Sequence, residues 1–218
     1  MTAAKPAVLT VEGLNAWYGP AQALFDVGFS VKAGELVVLQ GLNGAGKSTL
    51  LQALIGIGPR AQGQIVWDGQ ALQGWPAHRR ARAGLGFVAE DRRLFTALSV
   101  RENLWIAARA GEHGSAAAQF DKVLALFPSL QAMLERPASQ MSGGEQQMLA
   151  LARTLMTGPR LLLLDEPCEG IAPVLVAAMR DALLQLACEG VTMLVAEQNH
   201  ILASHAQLVL TLVGGRVV

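Results

Sequence analysis

The chain has 218 residues, of which 52% are hydrophobic and 16% are charged, so it has ample apolar surface for a folded core and lacks the composition of a disordered protein. Its 17 basic side chains balance 17 acidic ones, which leaves no overall positive field to favour nucleic acid as a partner. No apolar run reaches the length of about 18 residues that a membrane span requires, and residues 1–11 lack the pattern of a signal peptide, so we expect a cytoplasmic chain that does not cross a bilayer by itself.

The first part of the chain, up to about Val88, has the pattern of a region that builds β-sheet. Its apolar periodicity and turn residues predict strands at residues 8–11 and 23–31, a buried strand at Leu36–Gln40, a helix at Lys47–Ile55 ending at Gly56, and a hairpin strand at residues 64–67 before the turn Asp68-Gly69.

From Leu98 to about Pro137 the pattern becomes helical, and Ser99 and Glu102 have the spacing of a capping box at its start. Helices and strands then alternate: a helix at residues 144–157, a strand at 161–164, a helix at 173–187, a strand at 191–196, a helix near His200, a strand at 208–212 and a turn at Gly214-Gly215. Such alternation predicts a parallel sheet with crossover helices. We expect one domain, with an α/β core at residues 1–88 and 138–218 and an inserted helical subdomain at about residues 89–137.

A glycine-rich loop connects the buried strand to the first helix. Its sequence, GLNGAGKS, matches the pattern GxxxxGK[ST] and has the strand before it and the helix after it that a phosphate-binding loop requires. Backbone N–H groups of such a loop surround an anion, the lysine reaches the β- and γ-phosphates, and the serine hydroxyl binds Mg²⁺. The alternative is a glycine-rich turn that binds no ligand, in which case the match to the phosphate-loop pattern would be due to chance. The residues that we expect to contact the nucleotide are Gly41, Asn43, Gly44, Ala45, Gly46, Lys47, Ser48 and Thr49.

Two acidic residues follow the apolar strand at residues 161–164. In a parallel sheet this strand ends at the same edge as the phosphate loop, so Asp165 and Glu166 are expected beside the phosphates. We expect Asp165 to hold Mg²⁺, directly or through water, and Glu166 to accept a proton from the water that attacks the γ-phosphate. Taken alone the pair is equally typical of a solvated strand end, and the phosphate loop favours the catalytic interpretation.

A second anion site is predicted in front of the helix at residues 144–157. The sequence SGGEQQ places a serine hydroxyl and glycine N–H groups at a helix N-terminus, and an ordinary helix cap is the alternative. The sequence thus predicts two anion sites but only one pair of acidic residues, which indicates that both anion sites serve a shared nucleotide. The residues that we assign to this second site are Ser142, Gly143, Gly144 and Glu145.

By its phosphate loop, SGGEQQ signature and LLLLDEP, in this order and spacing, the sequence resembles the ATP-binding subunits of ABC transporters over essentially the whole chain. The resemblance implies an α/β P-loop fold with a mainly parallel core sheet, an antiparallel β edge subdomain and a helical insertion, and ATP and Mg²⁺ as cofactors. It implies that two such subunits meet head to tail, with ATP between the phosphate loop of one and the signature of the other. Tyr18 falls where the family stacks an aromatic ring on adenine; an ordinary exposed aromatic is the alternative.

Four segments resemble the branch that serves importers of branched-chain amino acids, amides and urea: VAEDRRLF at residues 88–95, SGGEQQML at 142–149, EGIAP at 169–173 and EQN at 197–199. The resemblance implies a peripheral ATP-hydrolysing subunit on the cytoplasmic face of the inner membrane. Its partners would be permease subunits, a second ABC ATPase subunit of the same or a different kind and, indirectly, an external solute-binding protein. Two alternatives stay open: a soluble ABC-type ATPase not coupled to transport, and a nucleotide-gated assembly module with negligible turnover.

Two residues depart from the wider family pattern. Glu90 stands where most members have a glutamine that touches Mg²⁺ and the attacking water, and Gln198 stands where most have a histidine against the γ-phosphate. Both residues keep hydrogen-bonding capacity, but Glu90 adds a negative charge and Gln198 cannot become cationic. The resemblance thus assigns catalytic roles to Glu166, Gln198 and Glu90, and metal binding to Ser48, Glu90 and Asp165.

The remaining reactive or charged residues have less specific patterns. Cys168 and Cys188 lack metal-ligand spacing and indicate reduced thiols, and Cys168 is interpreted as a packed small residue or, alternatively, a reactive thiol near the nucleotide. Two arginine clusters predict solvated faces, the second with contact to a permease as the alternative: Arg79, Arg80 and Arg82, and Arg92 and Arg93. The histidines share no metal spacing: His78, His113, His200 and His205.

Overall fold

The structure is a computed structural model, and it describes residues 7–108, 115–198 and 201–218. His113, Asn199 and His200, together with the helix predicted near His200, lie outside these ranges. Of the described helices, none is both long enough and apolar enough to cross a lipid bilayer.

The described residues form ten strands and seven α-helices. The strands are β1 (Ala7–Tyr18), β2 (Ala21–Lys32), β3 (Leu36–Gln40), β4 (Arg60–Trp67), β5 (Gln70–Ala71), β6 (Leu85–Val88), β7 (Leu161–Asp165), β8 (Thr192–Ala196), β9 (Leu208–Val213) and β10 (Arg216–Val217). The helices are α1 (Lys47–Ile55), α2 (Ala77–Arg82), α3 (Val100–Ala108), α4 (Ala116–Leu126), α5 (Pro128–Gln131), α6 (Gly143–Leu155) and α7 (Pro173–Cys188). Short 3₁₀ turns lie at Ala138–Gln140 and Ala203–His205.

The core of the fold is a six-stranded sheet with the strand order β10-β9-β3-β8-β7-β6. All its pairs are parallel except β10 with β9, which confirms the prediction from the alternating elements. Every residue of β7 and β8 is buried, because helices and the second sheet cover both faces. The carboxyl ends of β3, β7 and β8 therefore meet at one edge, where chemistry is expected in such sheets.

A second, antiparallel sheet with the order β2-β1-β4-β5 forms the β edge subdomain. Its first two strands are longer than the predicted segments at residues 8–11 and 23–31, since each spans 12 residues. The strands shift register near Gly13 and Asn15, and Asn15 satisfies the irregular backbone by donating to the Gly13 carbonyl at 2.9 Å. These bulges interrupt the apolar alternation, which is why the predicted strands are shorter than the observed ones.

The inserted helical region is confirmed. Ser99 and Glu102 form the predicted reciprocal cap before α3, with Glu102 accepting from the Ser99 N–H at 2.8 Å and Ser99 from the Glu102 N–H at 3.2 Å. Leu104 and Phe120 of the insertion belong to one apolar cluster with Met148 of α6. The insertion therefore packs directly against the helix that begins at the predicted signature.

The prediction of a solvated arginine face on α2 is wrong for Arg80. Its side chain is buried, and the guanidinium donates to the carbonyl oxygens of Ala53 at 2.9 Å and Leu54 at 2.8 Å, at the end of α1, and to two carbonyls before α2. The carbonyls of Ala53 and Leu54 are in the last turn of α1 and have no partner within that helix, so the charge stabilises a helix end. Arg79 and Arg82 are exposed, as expected.

Candidate active site

The loop between β3 and α1 has the geometry of a phosphate cradle. Gly46 ends it with a φ of 106°, which is strained for any residue with a β-carbon, and such an atom would come within 3.0 Å of Leu24. Because α1 begins directly afterwards, its unpaired N–H groups face the loop. The Lys47 ammonium folds back over the loop and donates to the Gly41 carbonyl at 2.9 Å. The loop thus offers an anion both backbone donors and one positive charge.

The end of β7 brings both predicted carboxylates to this loop. Oδ1 of Asp165 accepts a hydrogen bond from the Ser48 hydroxyl at 2.9 Å, and Oε1 of Glu166 lies 3.1 Å from Nζ of Lys47. Glu166 has a φ of 48°, which is uncommon for a residue with a side chain. Such conformations persist where the surroundings hold a functional group in one position.

Burial and hydrogen bonding act in opposite directions on the two carboxylates. Burial raises the pKa of Asp165 to about 6, and the hydrogen bond from Ser48 offsets this only in part. Burial also opposes the ionisation of Glu166, but hydrogen bonds with Glu169, Lys47 and Gln198 lower the pKa of that carboxyl below its usual value. Hydroxyl and carboxylate oxygens are the ligands that Mg²⁺ prefers, and a buried carboxylate is stabilised by a cation. The Ser48–Asp165 pair therefore fits a magnesium ion.

Gln198 follows β8 and reaches the same group of side chains. Its amide nitrogen donates to the two carboxylate oxygens of Glu166, at 3.1 and 2.9 Å, and to the side-chain oxygen of Asn43 in the phosphate loop. The amide therefore lies between the predicted base and the loop. This position suits a hydrogen bond to a terminal phosphate.

A cavity of about 640 Å³ opens over the phosphate loop. Lys47 and Ser48 line it on one side, and three carboxylates line it elsewhere: Glu90, Glu166 and Glu169. Small-molecule sites usually fall between about 300 and 1,000 Å³. The cavity therefore has room for a nucleotide, and it gathers predicted site residues from three separate parts of the chain.

Sequence analysis missed three parts of this cavity wall: Glu169, the turn at Gly214-Gly215, and residues Gln22, Ala23 and Phe25 of β2. Glu169 shares a hydrogen bond with Glu166 that raises the pKa of Glu169 to about 7, and no spacing rule points to this residue. The predicted turn Gly214-Gly215 also lines the cavity, because the Gly215 N–H donates to the Ala45 carbonyl at 2.9 Å. The two glycines indicate that another backbone segment comes close, but the sequence does not identify that segment as the phosphate loop.

Tyr18 is the last residue of β1 and lies outside the cavity that its predicted contact with adenine would require. Its hydroxyl donates to the side chain of Gln52 on α1 at 2.9 Å, and 46% of the residue is exposed. It is not among the described residues that line the cavity. Stacking of Tyr18 on adenine therefore stays a prediction.

The predicted signature begins α6 with a complete capping box. The Ser142 N–H donates to Glu145 at 2.7 Å, and the Ser142 hydroxyl accepts from the Glu145 N–H at 3.4 Å. Gly144 is packed so closely that a β-carbon there would lie 2.4 Å from Leu175 of α7. Among the described residues around the phosphate cavity, none comes from this segment. The two predicted anion sites of one chain are therefore separate.

The cysteines and histidines that the structure describes do not line the cavity. Cys168 is 5% exposed, and burial raises the pKa of its thiol to about 12, which agrees with a packed small residue. Cys188, His78 and His205 are exposed.

Comparison with protein families matches residues 24–169 to the ABC transporter family. The chain is 46% identical over 192 residues to the high-affinity branched-chain amino acid transport ATP-binding protein BraG of Pseudomonas aeruginosa, covering 88% of this chain and 82% of that protein. It is 36% identical over 187 residues to a probable branched-chain amino acid transport ATP-binding protein, LivF, of Archaeoglobus fulgidus, covering 85% and 79% of the two chains.

Solved structures of ATP-binding cassettes share the fold. The cassette MJ1267 of an ABC transporter superimposes with a TM-score of 0.86 at 23% identity, covering 98% of this chain and 90% of the other. A dimeric bacterial cassette, MJ0796, superimposes with a TM-score of 0.85 at 22% identity, covering 96% of both chains. These values confirm the predicted fold class.

Proposed function

Because this chain belongs to the ABC transporter family, we propose that it is the ATP-hydrolysing subunit of an importer of branched-chain amino acids. The relatives named for branched-chain amino acid transport support the solute class and do not favour the two alternatives, a soluble ATPase and an assembly module. One observation carries the hydrolytic part. Lys47 and Glu166 lie 3.1 Å apart at the edge of the parallel sheet, next to the Ser48–Asp165 pair.

The phosphate loop binds the nucleotide. Its backbone N–H groups and the N-terminus of α1 receive the phosphates, and the Lys47 ammonium offsets their negative charge. Because Lys47 is only 4% exposed, its attraction to a phosphate is screened little by water. Tyr18 supplies the stacking surface for adenine in this proposal.

Glu166 acts as the general base. The hydrogen bonds around it keep its pKa low, so the carboxylate is ionised at neutral pH and ready to accept a proton from water. Gln198 donates to Glu166 and sits beside the loop, so it orients the base and contacts the γ-phosphate. Glu90 lines the same cavity, where it would face the metal and the attacking water.

Ser48, Asp165 and Glu90 are the residues that hold Mg²⁺ in this proposal. The ion supplies positive charge to the β- and γ-phosphate oxygens. Within the described parts of the chain, no three side chains of His, Cys, Asp or Glu converge into a metal site of their own. Phosphate oxygens and water would complete the coordination, as is usual for Mg²⁺ with nucleotides.

The proposal includes the implied partners and location. The chain would bind permease subunits at the cytoplasmic face of the inner membrane, pair with a second ABC ATPase subunit and depend on an external solute-binding protein. The separation of Ser142, Gly143, Gly144 and Glu145 from the chain's own cavity supports pairing, because these residues can then serve a nucleotide on another subunit.

The test begins with the native complex, purified from membranes through a tag on this chain, and with identification of the subunits that co-purify. We expect the reconstituted complex to release phosphate from ATP and to import leucine, isoleucine or valine, and we expect Lys47→Ala to abolish both. Import of an amide or urea without any branched-chain amino acid would contradict the solute class. Absence of phosphate release from the complete complex would contradict the hydrolytic function.

A further inference from the structure

The segment that follows Glu90 is held in an unusual backbone conformation. Arg92 and Arg93 have φ values of 61° and 50°, and two consecutive left-handed residues with side chains require external support. Arg153 on α6 provides it, by donating to the Arg93 carbonyl at 2.7 Å and to the Arg92 carbonyl at 3.2 Å. The segment is therefore fixed to α6.

The side chain of Arg92 makes a second connection to the same helix. Its Nε donates to the side-chain carbonyl of Gln147 at 3.2 Å, and its Nη1 donates to that of Gln146 at 3.1 Å. Its Nη2 lies so near Gly143 that a β-carbon there would be 3.2 Å away. The guanidinium thus covers the first turn of α6, directly behind the signature. Arg93 instead is exposed and pairs with Asp91 at 3.0 Å.

The contact between Arg92 and Gln147 leaves one buried polar group of Gln147 unsatisfied. The residue is 3% exposed, and its amide nitrogen has no hydrogen-bond partner among the described residues. Because the side-chain oxygen accepts from Arg92, the amide cannot turn over without placing two donors against each other. Buried donors without partners are rare and unfavourable. The arrangement is therefore kept by Arg92 rather than by the packing of Gln147 itself.

We propose that Arg92 is a positioning residue that couples the two nucleotide sites to which this chain contributes. This inference rests on the proposed function. Glu90, two residues before Arg92, lines the cavity over the chain's own phosphate loop, whereas Gly143, against which Arg92 packs, belongs to the signature that serves a second subunit. A displacement of the Glu90 segment therefore moves the signature, and a displacement of the signature moves the Glu90 segment. Arg92 itself does not line the cavity over the phosphate loop.

The first test compares Arg92→Ala with Arg93→Ala in the purified membrane complex. The two substitutions remove the same charge at neighbouring left-handed positions, so they match in backbone strain. We expect both isolated chains to bind ATP as the parent does, since the phosphate loop is intact. In the complex, Arg92→Ala should lower kcat about 10-fold or more with little change in KM, because misplaced groups lose catalysis steeply, and Arg93→Ala should stay within about twofold. Equal losses in both variants would overturn the inference, since the segment would then act through another contact.

The second test uses Gln147→Met, which removes both the acceptor for Arg92 and the unpaired donor at similar volume. We expect an unfolding temperature equal to or above that of the parent, together with a lower kcat, a combination that a merely structural role does not produce. The double variant with Arg92→Ala should be no slower than Arg92→Ala alone, because the bond between Arg92 and Gln147 is already lost in Arg92→Ala. Parental kcat in Gln147→Met, or additive losses in the double variant, would overturn the inference. Failure of the unsubstituted complex to hydrolyse ATP would instead overturn the proposed function on which it rests.

Discussion

Glu166 lies where three segments of the chain meet. It follows β7, pairs with Lys47 at the start of α1 and accepts from Gln198 after β8. Its left-handed φ of 48° is supported by the hydrogen bond from its own N–H to the Ala196 carbonyl at 2.9 Å. A side chain fixed by so many contacts keeps one orientation, which is what a general base requires.

The first prediction concerns the proposed role of Glu166 as the general base. Glu166→Gln keeps the size and most hydrogen bonds of the side chain but cannot take a proton from water. We expect ATP binding to persist and turnover to fall by about 10² to 10⁴-fold. Phosphate release and equilibrium ATP binding measure the two effects, and Lys47→Ala, which should lose binding itself, is the control. Unchanged turnover in Glu166→Gln would remove this residue from the role of base.

The second prediction concerns Gln198. Gln198→Ala should slow hydrolysis more than it weakens ATP binding, because the amide contacts Glu166 and, in the proposed function, a terminal phosphate rather than the bulk of the nucleotide. Gln198→His should stay active, and its rate should change across about pH 6 to 7, where imidazole titrates and the parent amide does not. A parental rate for Gln198→Ala in the assembled complex would show that another residue contacts the γ-phosphate.

The third prediction separates the two cysteines. A maleimide should modify exposed Cys188 quickly and Cys168 only after unfolding, because Cys168 is buried and burial raises the pKa of its thiol to about 12. The variant Cys188→Ser should therefore label slowly in the folded state and fully in denaturant. Rapid labelling of that variant without denaturant would contradict the packed interpretation of Cys168.

At the scale of elements, regular patterns were predicted well and irregular contacts were not. The bounds of β3 and α1 and the end of α1 at Gly56 agree with the pattern, because each depends on residues close in sequence. The phosphate loop and the two carboxylates after β7 were also predictable, since a short motif carries each. The burial of Arg80 and its contact with α1 were not, because charge composition does not tell which side chains of a polar helix find carbonyl partners. The position of Glu169 at the cavity was not predictable either, because it results from the fold and not from a sequence motif.

The fourth prediction belongs to this element scale. Arg80→Met leaves the Ala53 and Leu54 carbonyl oxygens at the end of α1 without their donor, so we expect the free energy of unfolding to fall by about 3 kcal/mol. Arg82→Met, on the exposed side of the same helix, should change it by less than about 0.5 kcal/mol. Denaturant titration of the two variants measures the difference. Equal stability of both would show that water replaces the guanidinium without cost.

At the scale of the whole molecule, the phosphate cavity and the start of α6 are separate places in one chain. In the proposed pairing, a complete hydrolytic site consists of the phosphate loop of one subunit and the signature of another. Ser142→Asp is a sharp probe, because aspartate caps a helix as well as serine does but repels a phosphate. We expect Ser142→Asp to leave α6 folded and ATP binding by the isolated chain intact, while it abolishes hydrolysis.

The fifth prediction uses this variant to test whether two copies of the chain share their sites. Lys47→Ala has a sound signature and a defective phosphate loop, and Ser142→Asp has the opposite defect. In a mixed dimer, the loop of the Ser142→Asp chain faces the signature of the Lys47→Ala chain, so one complete site is rebuilt while the other carries both defects. We expect phosphate release from the mixture and none from either variant alone. If both variants are folded and the mixture stays inactive, sharing between two copies is contradicted, and the complementary loop and signature must come from a different ATPase chain.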